Sequence, residues 1–259
     1  MVWPLARQER WTVPQQNYVT DWEDAHRYSP APRHRRRLIM KWIRRLRFAD
    51  CLDAGCAQPY LLEEMVEKKI TTYGCDISHE VIQRNKLRFP RAHFERFDLS
   101  RQVWPDGRKF DLVVCSEVLE HVEEWPAAVG NLAKMCRRYL MITVPSGKIH
   151  AIDRHIGHLR HFSGQELCRA LQDLDFEVLQ LRRWGWPFHS FYKYAINGLM
   201  PGAIYHSFGE QRYGLGKKLL SQMISIFFYL NDFFPLGSQL LILAQHKKPD
   251  DCGVLNKTS

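Results

Sequence analysis

What most constrains this chain is a rhythm running from Ala49 to Ser146, in which short apolar runs alternate with segments of helical periodicity. The runs Asp50 to Ala54, Thr71 to Asp76, His93 to Asp98, Phe110 to Ser116 and Tyr139 to Val144 read as strands of a sheet covered on both faces. Amphipathic stretches between them supply the crossovers that a parallel sheet requires, and right-handed crossovers wind it in both directions. Further on, Ser163 with Glu166 three positions later forms a capping box for another helix, and strands are expected at Phe176 to Arg182 and Gln239 to Gln245. The expected class is therefore α/β with a doubly wound, seven-stranded sheet. A core built from 259 residues needs no disulfide staples. The seven cysteines include no CxxC pair, which suits buried free thiols in a reducing compartment and no zinc site. No apolar run approaches the ~20 residues of a membrane span, and the N-terminus lacks the apolar core of a secretion signal. A cytoplasmic protein is expected.

Charge is concentrated in one place. The net charge is +9, and Pro32 to Phe48 holds eight cations and no acid, which leaves the rest of the chain near +1. A basic balance confined to one segment does not describe a body-wide surface for nucleic acid, so a nucleic-acid partner is disfavoured. Within the segment Leu38, Ile39, Trp42, Ile43 and Leu46 fall at helical spacing, which predicts an amphipathic helix with a solvated arginine face. A second unusual region lies between the last two strands. Gly185 to Gly237 carries 13 of the 32 aromatic residues and only six charges, so it reads as a lid over an apolar ligand or as a docking surface. Gly198, Gly202, Gly209, Gly214 and Gly216 offer the lid its hinges. The tail Leu219 to Phe234, beside Lys217 and Lys218, suits peripheral membrane contact as the alternative.

The turn after the first strand, Leu52 to Pro59, is the strongest site signal. Ligands of open α/β sheets bind outside the carboxyl ends of the strands, and Gly55 lets the backbone approach them. Pro59 is expected at the first helical position, and Ala57 at a negative φ where its methyl costs little. Asp76, 23 residues beyond Asp53, falls at the end of the second strand, where a carboxylate can hold both ribose hydroxyls. The turn lacks the glycine array that seats a pyrophosphate, so a nucleoside is favoured over a dinucleotide.

Taken together, Asp53-Ala-Gly55-Cys-Ala57, "GCDIS" around Asp76, "FDLS" at Asp98, "FDLVVCSEVLEHV" from Phe110 and "ITVPSG" from Ile142 resemble the class I S-adenosylmethionine-dependent methyltransferases. The resemblance runs from about Ala49 to Lys247. It implies a Rossmann-like sheet with its last strand antiparallel, S-adenosylmethionine as cofactor, and a cofactor-binding set of Asp53, Ala54, Gly55, Asp76, Ile77, Asp98, Leu99 and Ser116. In that set Asp53 and Gly55 would meet the methionine end, Asp76 the ribose, Asp98 with Leu99 the adenine edge, and Ser116 the backbone beside the sulfonium. Residues 1–48 form an N-terminal segment with the basic helix, 49–247 the methyltransferase domain containing the 185–237 insertion, and 248–259 a flexible tail.

His121 and His158 are the expected catalytic residues. Glu117, Glu120 and His121 stand at i, i+3 and i+4 of the helix expected after the fourth strand, so they would share a face. His121 then serves as general base, and no metal is expected. The alternative is Mg²⁺ held by these three with His158 or His161, resembling the ExxEH site of small-RNA 2'-O-methyltransferases. The favoured activity is methyl transfer to an oxygen or nitrogen of a small-molecule acceptor. An RNA methyltransferase is the first rival, and a catalytically silent binding module, suggested by Ala57 and Pro59 in place of glycines, is the second.

Overall fold

A computed structural model describes residues 23–199 and 212–248. Most of the N-terminal segment before the basic helix, the hinges Gly202 and Gly209 and nearly all of the expected C-terminal tail lie outside the described residues. Along the chain come α1 (Glu23–Tyr28), α2 (Pro30–Ile43), β1 (Asp50–Ala54), α3 (Tyr60–Glu67), β2 (Thr71–Asp76), α4 (His79–Arg88), β3 (His93–Arg96) and β4 (Phe110–Ser116). They are followed by α5 (Trp125–Met135), β5 (Cys136–Pro145), α6 (Ala151–His155), α7 (Gly164–Gln172), β6 (Phe176–Trp184), α8 (Phe188–Leu199), α9 (Leu215–Phe228) and β7 (Gln239–His246).

The strands form one seven-stranded sheet in the order β3-β2-β1-β4-β5-β7-β6. Strands β1 to β5 pair in parallel, and β7 runs antiparallel between β5 and β6. The alternation of side chains along each strand splits the core into two layers. Val113, Cys115, Leu240 and Ile242 face α5 and α7, while Leu112, Val114, Leu241 and Leu243 face the other side. There α2 lays its apolar stripe, with Leu38, Ile39, Met40, Trp42 and Ile43 all buried. The basic helix thus shares the core of the sheet.

Several strand ends differ from expectation: β6 runs on to Trp184, and β5 and β7 each end one residue later, at Pro145 and His246. β3 stops at Arg96 and not at Asp98, because the Asp98 carboxylate accepts from the Ser100 amide (2.9 Å) and hydroxyl (2.7 Å) and so curls the chain out of the ladder. β5 starts three residues early, since Arg137 at its head reaches Asp111 at 2.7 Å. The Ser163–Glu166 capping box is present. Five cysteines are buried free thiols, Cys168 is partly buried, and Cys252 lies outside the described residues. Among the described residues no helix is long and apolar enough to cross a membrane.

Candidate active site

The loop after β1 is held by its own backbone. Gly55 and Cys56 both donate to the Cys75 carbonyl at 2.8 Å, which turns the chain sharply away from the sheet. Gly55 has φ +76°, and a Cβ there would stand 2.4 Å from a Val118 methyl, so position 55 needs glycine for conformation and for space. Ala57 corrects an expectation, because its φ is +33° and not negative. The strain is imposed by its neighbours: its amide donates to Asp76 at 3.0 Å, and its carbonyl accepts from Arg84 and Asn85, each at 3.0 Å. Pro59 also sits one residue earlier than expected, flanking a helix that begins at Tyr60.

This loop, the end of β4 and the α1–α2 layer border an open cleft of about 140 Å³. The cleft brings Asp53, Gly55 and Ser116 together, with Ala57, Gln58 and Glu117 alongside and Arg35, Arg36 and Ile39 from α2 opposite. Asp53 is buried, and that burial, with the nearby Asp76 charge, pushes its carboxyl up to about 7. Such a group gains from any cation brought against it. Asp76 lies behind the loop, where burial raises its carboxyl while the Ala57 and Ser78 amides hold its two oxygens. The side chain of Ile77 is exposed beside it. Asp98 is engaged with Ser100 and Arg101, and Leu99 packs its side chain into the core. Ala54 is buried at the end of β1. Of the expected cofactor set, Asp53, Gly55 and Ser116 line the cleft, while Ala54, Asp76, Ile77, Asp98 and Leu99 do not.

Where a helix was expected after β4, the chain makes a 3₁₀ turn at Leu119–His121, and α5 begins only at Trp125. Pro126 explains the late start, because proline fits the first turn of a helix and breaks one that passes through it. Glu117, Glu120 and His121 therefore do not share a helical face. Glu117 takes φ +56° and turns into the cleft, where one oxygen accepts from Thr143 at 3.1 Å and the other meets Arg35 at 2.9 Å. Thr143 has spent its proton on that carboxylate, so Ser116 donates to Thr143 at 2.9 Å. Arg35 was counted in the solvated arginine face, yet it precedes the stripe residue Ile39 by four positions, the spacing that puts both on one side of a helix.

Around the corner lies a histidine cluster. His121 Nδ1 is 3.1 Å from the Gly157 carbonyl, and His161 Nδ1 is 3.2 Å from the Gly147 carbonyl. Carbonyls only accept, so both Nδ1 atoms carry the proton. His161 Nε2 then accepts from His158 Nδ1 at 3.2 Å. Burial lowers all three imidazoles, His158 to about 3 with His121 adding to the effect, so they are neutral near pH 7. Glu120 is fully buried with no hydrogen bond to either oxygen, and burial followed by the Glu117 charge raises its carboxyl strongly. Donor atoms of Glu120, His121 and His158 lie within 4.8 Å of one another, as do those of Asp153, His158 and His161. Glu117 belongs to neither group. A nitrogen-rich set of this kind is poorly matched to Mg²⁺, which prefers oxygen ligands.

Comparison with known proteins places these features in context. A family model described as a methyltransferase domain matches residues 32–181. Over 135 residues the chain is 24% identical to a probable S-adenosylmethionine-dependent methyltransferase of Mycolicibacterium smegmatis, a match covering 50% of this chain and 52% of that protein. Over 90 residues it is 29% identical to a ubiquinone biosynthesis O-methyltransferase of Salmonella paratyphi A, covering 33% of this chain and 37% of the relative. The chain thus spans about half the length, or less, of these curated relatives. The N-methyltransferase NodS of Bradyrhizobium japonicum, solved with S-adenosyl-L-homocysteine, superposes with a TM-score of 0.58 at 14% identity, covering 90% of this chain and 96% of that one. That likeness is one of fold.

Proposed function

Since the chain belongs to the class I S-adenosylmethionine-dependent methyltransferases, we propose that it moves the methyl group of that cofactor to an oxygen or nitrogen of a small-molecule acceptor. The observation that carries this reading is the cleft in which Asp53, Gly55 and Ser116 converge at the carboxyl ends of β1 and β4. S-adenosylmethionine supplies an electrophilic methyl on a sulfonium when bound. Asp53 offers that cationic ligand a buried carboxylate, and the Gly55 turn lets backbone approach it closely. Asp76 with Ile77 and Asp98 with Leu99 are assigned to the nucleoside, and Ala54 supports the loop from behind. For these residues the work is alignment and exclusion of water, which serve an in-line displacement well.

His121 is assigned as the base. Its Nδ1 proton is spent on the Gly157 carbonyl, so Nε2 is the atom that would take a proton from the acceptor. His158, packed edge-on against it with ring centroids 4.9 Å apart, orients that ring. The insertion splits into two parts in this reading. α8 lies near the histidines, through Lys193 paired with Asp153 at 2.9 Å, and would close over the acceptor. A small molecule is favoured over RNA because the excess positive charge is confined to one segment and the 185–237 insertion is rich in aromatics but poor in charge. The free buried thiols support a cytoplasmic setting. Incubating the protein and labelled cofactor with a small-molecule extract, and reading products by mass spectrometry, tests the assignment. A labelled small molecule is expected; label recovered only in RNA, or none with cofactor bound, would overturn it.

A further inference from the structure

Outside the cleft, α9 carries a face that no described residue covers. Leu219 is 58% exposed, Met223 61%, Ile226 65%, and Phe233 in the turn beyond the helix 75%. Helical spacing sets Leu219, Met223, Ile226 and Leu230 in one row. On the opposite side of α9, Ser221 and Phe228 are buried where the helix packs on α2, with Phe228 against the His34 ring. Exposed apolar groups in one contiguous row on a helix mark a contact surface.

The flank of that face is cationic. A groove between α2 and α9 is lined by Arg33, Arg36, Arg37, Arg44, Ser225 and Tyr229, with one acid, Glu64, paired to Arg36 at 3.9 Å and to Arg44 at 3.5 Å. Arg37 stacks over Tyr229 at 4.4 Å while pairing with Asp232 at 2.7 Å, which fixes one wall. Arg33, Lys41 and Arg45 meet no carboxylate among the described residues. Leu215–Phe228 contains two lysines and no acid, and Asp232 just beyond is held by Arg37, Arg182 and His34.

We propose that this face docks the protein on an anionic phospholipid bilayer, the α9 row entering the interface and the arginine groove taking lipid phosphates. An interfacial helix has this make-up: apolar outward side chains, basic flanks and no free acid. Charge complementarity selects the occupant. A twofold pairing with a second copy would bring two such grooves to the rim of one interface, each with four arginines against the single Glu64.

The test uses the full chain with vesicles of phosphatidylcholine alone or mixed with phosphatidylglycerol. Co-sedimentation with the mixed vesicles only, weakening as salt is added, is expected. Arg33→Ala should lower partitioning about fivefold, the effect of one charge near the surface. Met223→Glu with Ile226→Glu should abolish it while leaving cofactor affinity unchanged, which shows that the variant folds. Failure of the unmodified chain to sediment, or equal binding to neutral vesicles, would overturn the proposal. So would self-association that the double variant removes in the absence of vesicle binding, because that assigns the face to a second copy. No methyl acceptor enters the assay, so its failure and a failure of the methyl-transfer reading are separate results.

Discussion

Burial pushes the Asp53 carboxyl up to about 7, so the cofactor-free protein holds it in both protonation states near neutrality. A cation beside it favours the ionised form, so binding should expel a proton, and cofactor affinity should fall up to about tenfold per unit as the pH drops below 7. Calorimetry in buffers of different ionisation heat measures that proton. The same shift has a stability side. A folded value above the unfolded ~3.9 means that stability is lost as the pH rises from there through about 7. Asp53→Asn should therefore melt higher than the parent at pH 8, melt equally at pH 4, and bind cofactor without the pH dependence. For His121, alanine should cut kcat by roughly 10²–10⁴-fold with cofactor affinity within about 1 kcal/mol. Burial lowers this imidazole, so the acid limb of kcat in the parent should fall below the ordinary ~6.5. An unchanged kcat would remove the base assignment. Asp53, Gly55 and Ser116 were legible because strand ends in a parallel sheet converge on one edge. Arg35 was not, because its partner Glu117 lies 82 positions away in sequence and no periodicity links them. Ala57 was misread because its backbone is set by Asp76, Asn85 and Arg84, not by its own preference.

Elements were legible where their period was strong. The strands before residue 117 and the stripe of α2 followed from apolar runs and spacing, since a buried parallel strand and an amphipathic helix each leave one signature. The 3₁₀ turn at Leu119–His121 was missed even though Pro126 marked the true helix start, because "SEVLEHVEE" also satisfies helical spacing. The insertion shows a device that composition does not reveal. It leaves the sheet at Gly185, φ +117°, and returns at Gly237, φ +132°, with the Trp186 amide donating to the Leu236 carbonyl at 3.0 Å across the neck. A Cβ on Gly237 would stand 2.2 Å from the Trp184 carbonyl oxygen. Gly237→Ala should thus cost roughly 3 kcal/mol, seen as a lower midpoint in denaturant unfolding. Gly107→Ala, also at positive φ but with open space around it, should cost less. Equal losses would show that conformation, and not the neck, sets the cost.

On the scale of the whole molecule, composition located the charge but not its use. The excess of +9 sits largely on a helix whose three sides do different things: a stripe in the core, Arg35 and Arg36 in the cleft wall, and Arg33, Arg37 and Arg44 in the outer groove. Sequence periodicity showed the first side only, because the other two are defined by chain segments folded against the helix from far away. One rigid rod touching both surfaces makes their occupancies interdependent. Whatever factor anionic vesicles apply to cofactor binding, the cofactor must apply to vesicle partitioning, because the cycle of four states closes. Docking at the outer groove should tighten the cofactor by about fivefold, measurable by titrating cofactor with and without saturating vesicles; equal dissociation constants would show the two surfaces to be independent. A reciprocal coupling of that size would make the bilayer an activator when cofactor is limiting, with the cofactor-loaded fraction highest where the protein is adsorbed and lowest where it diffuses free.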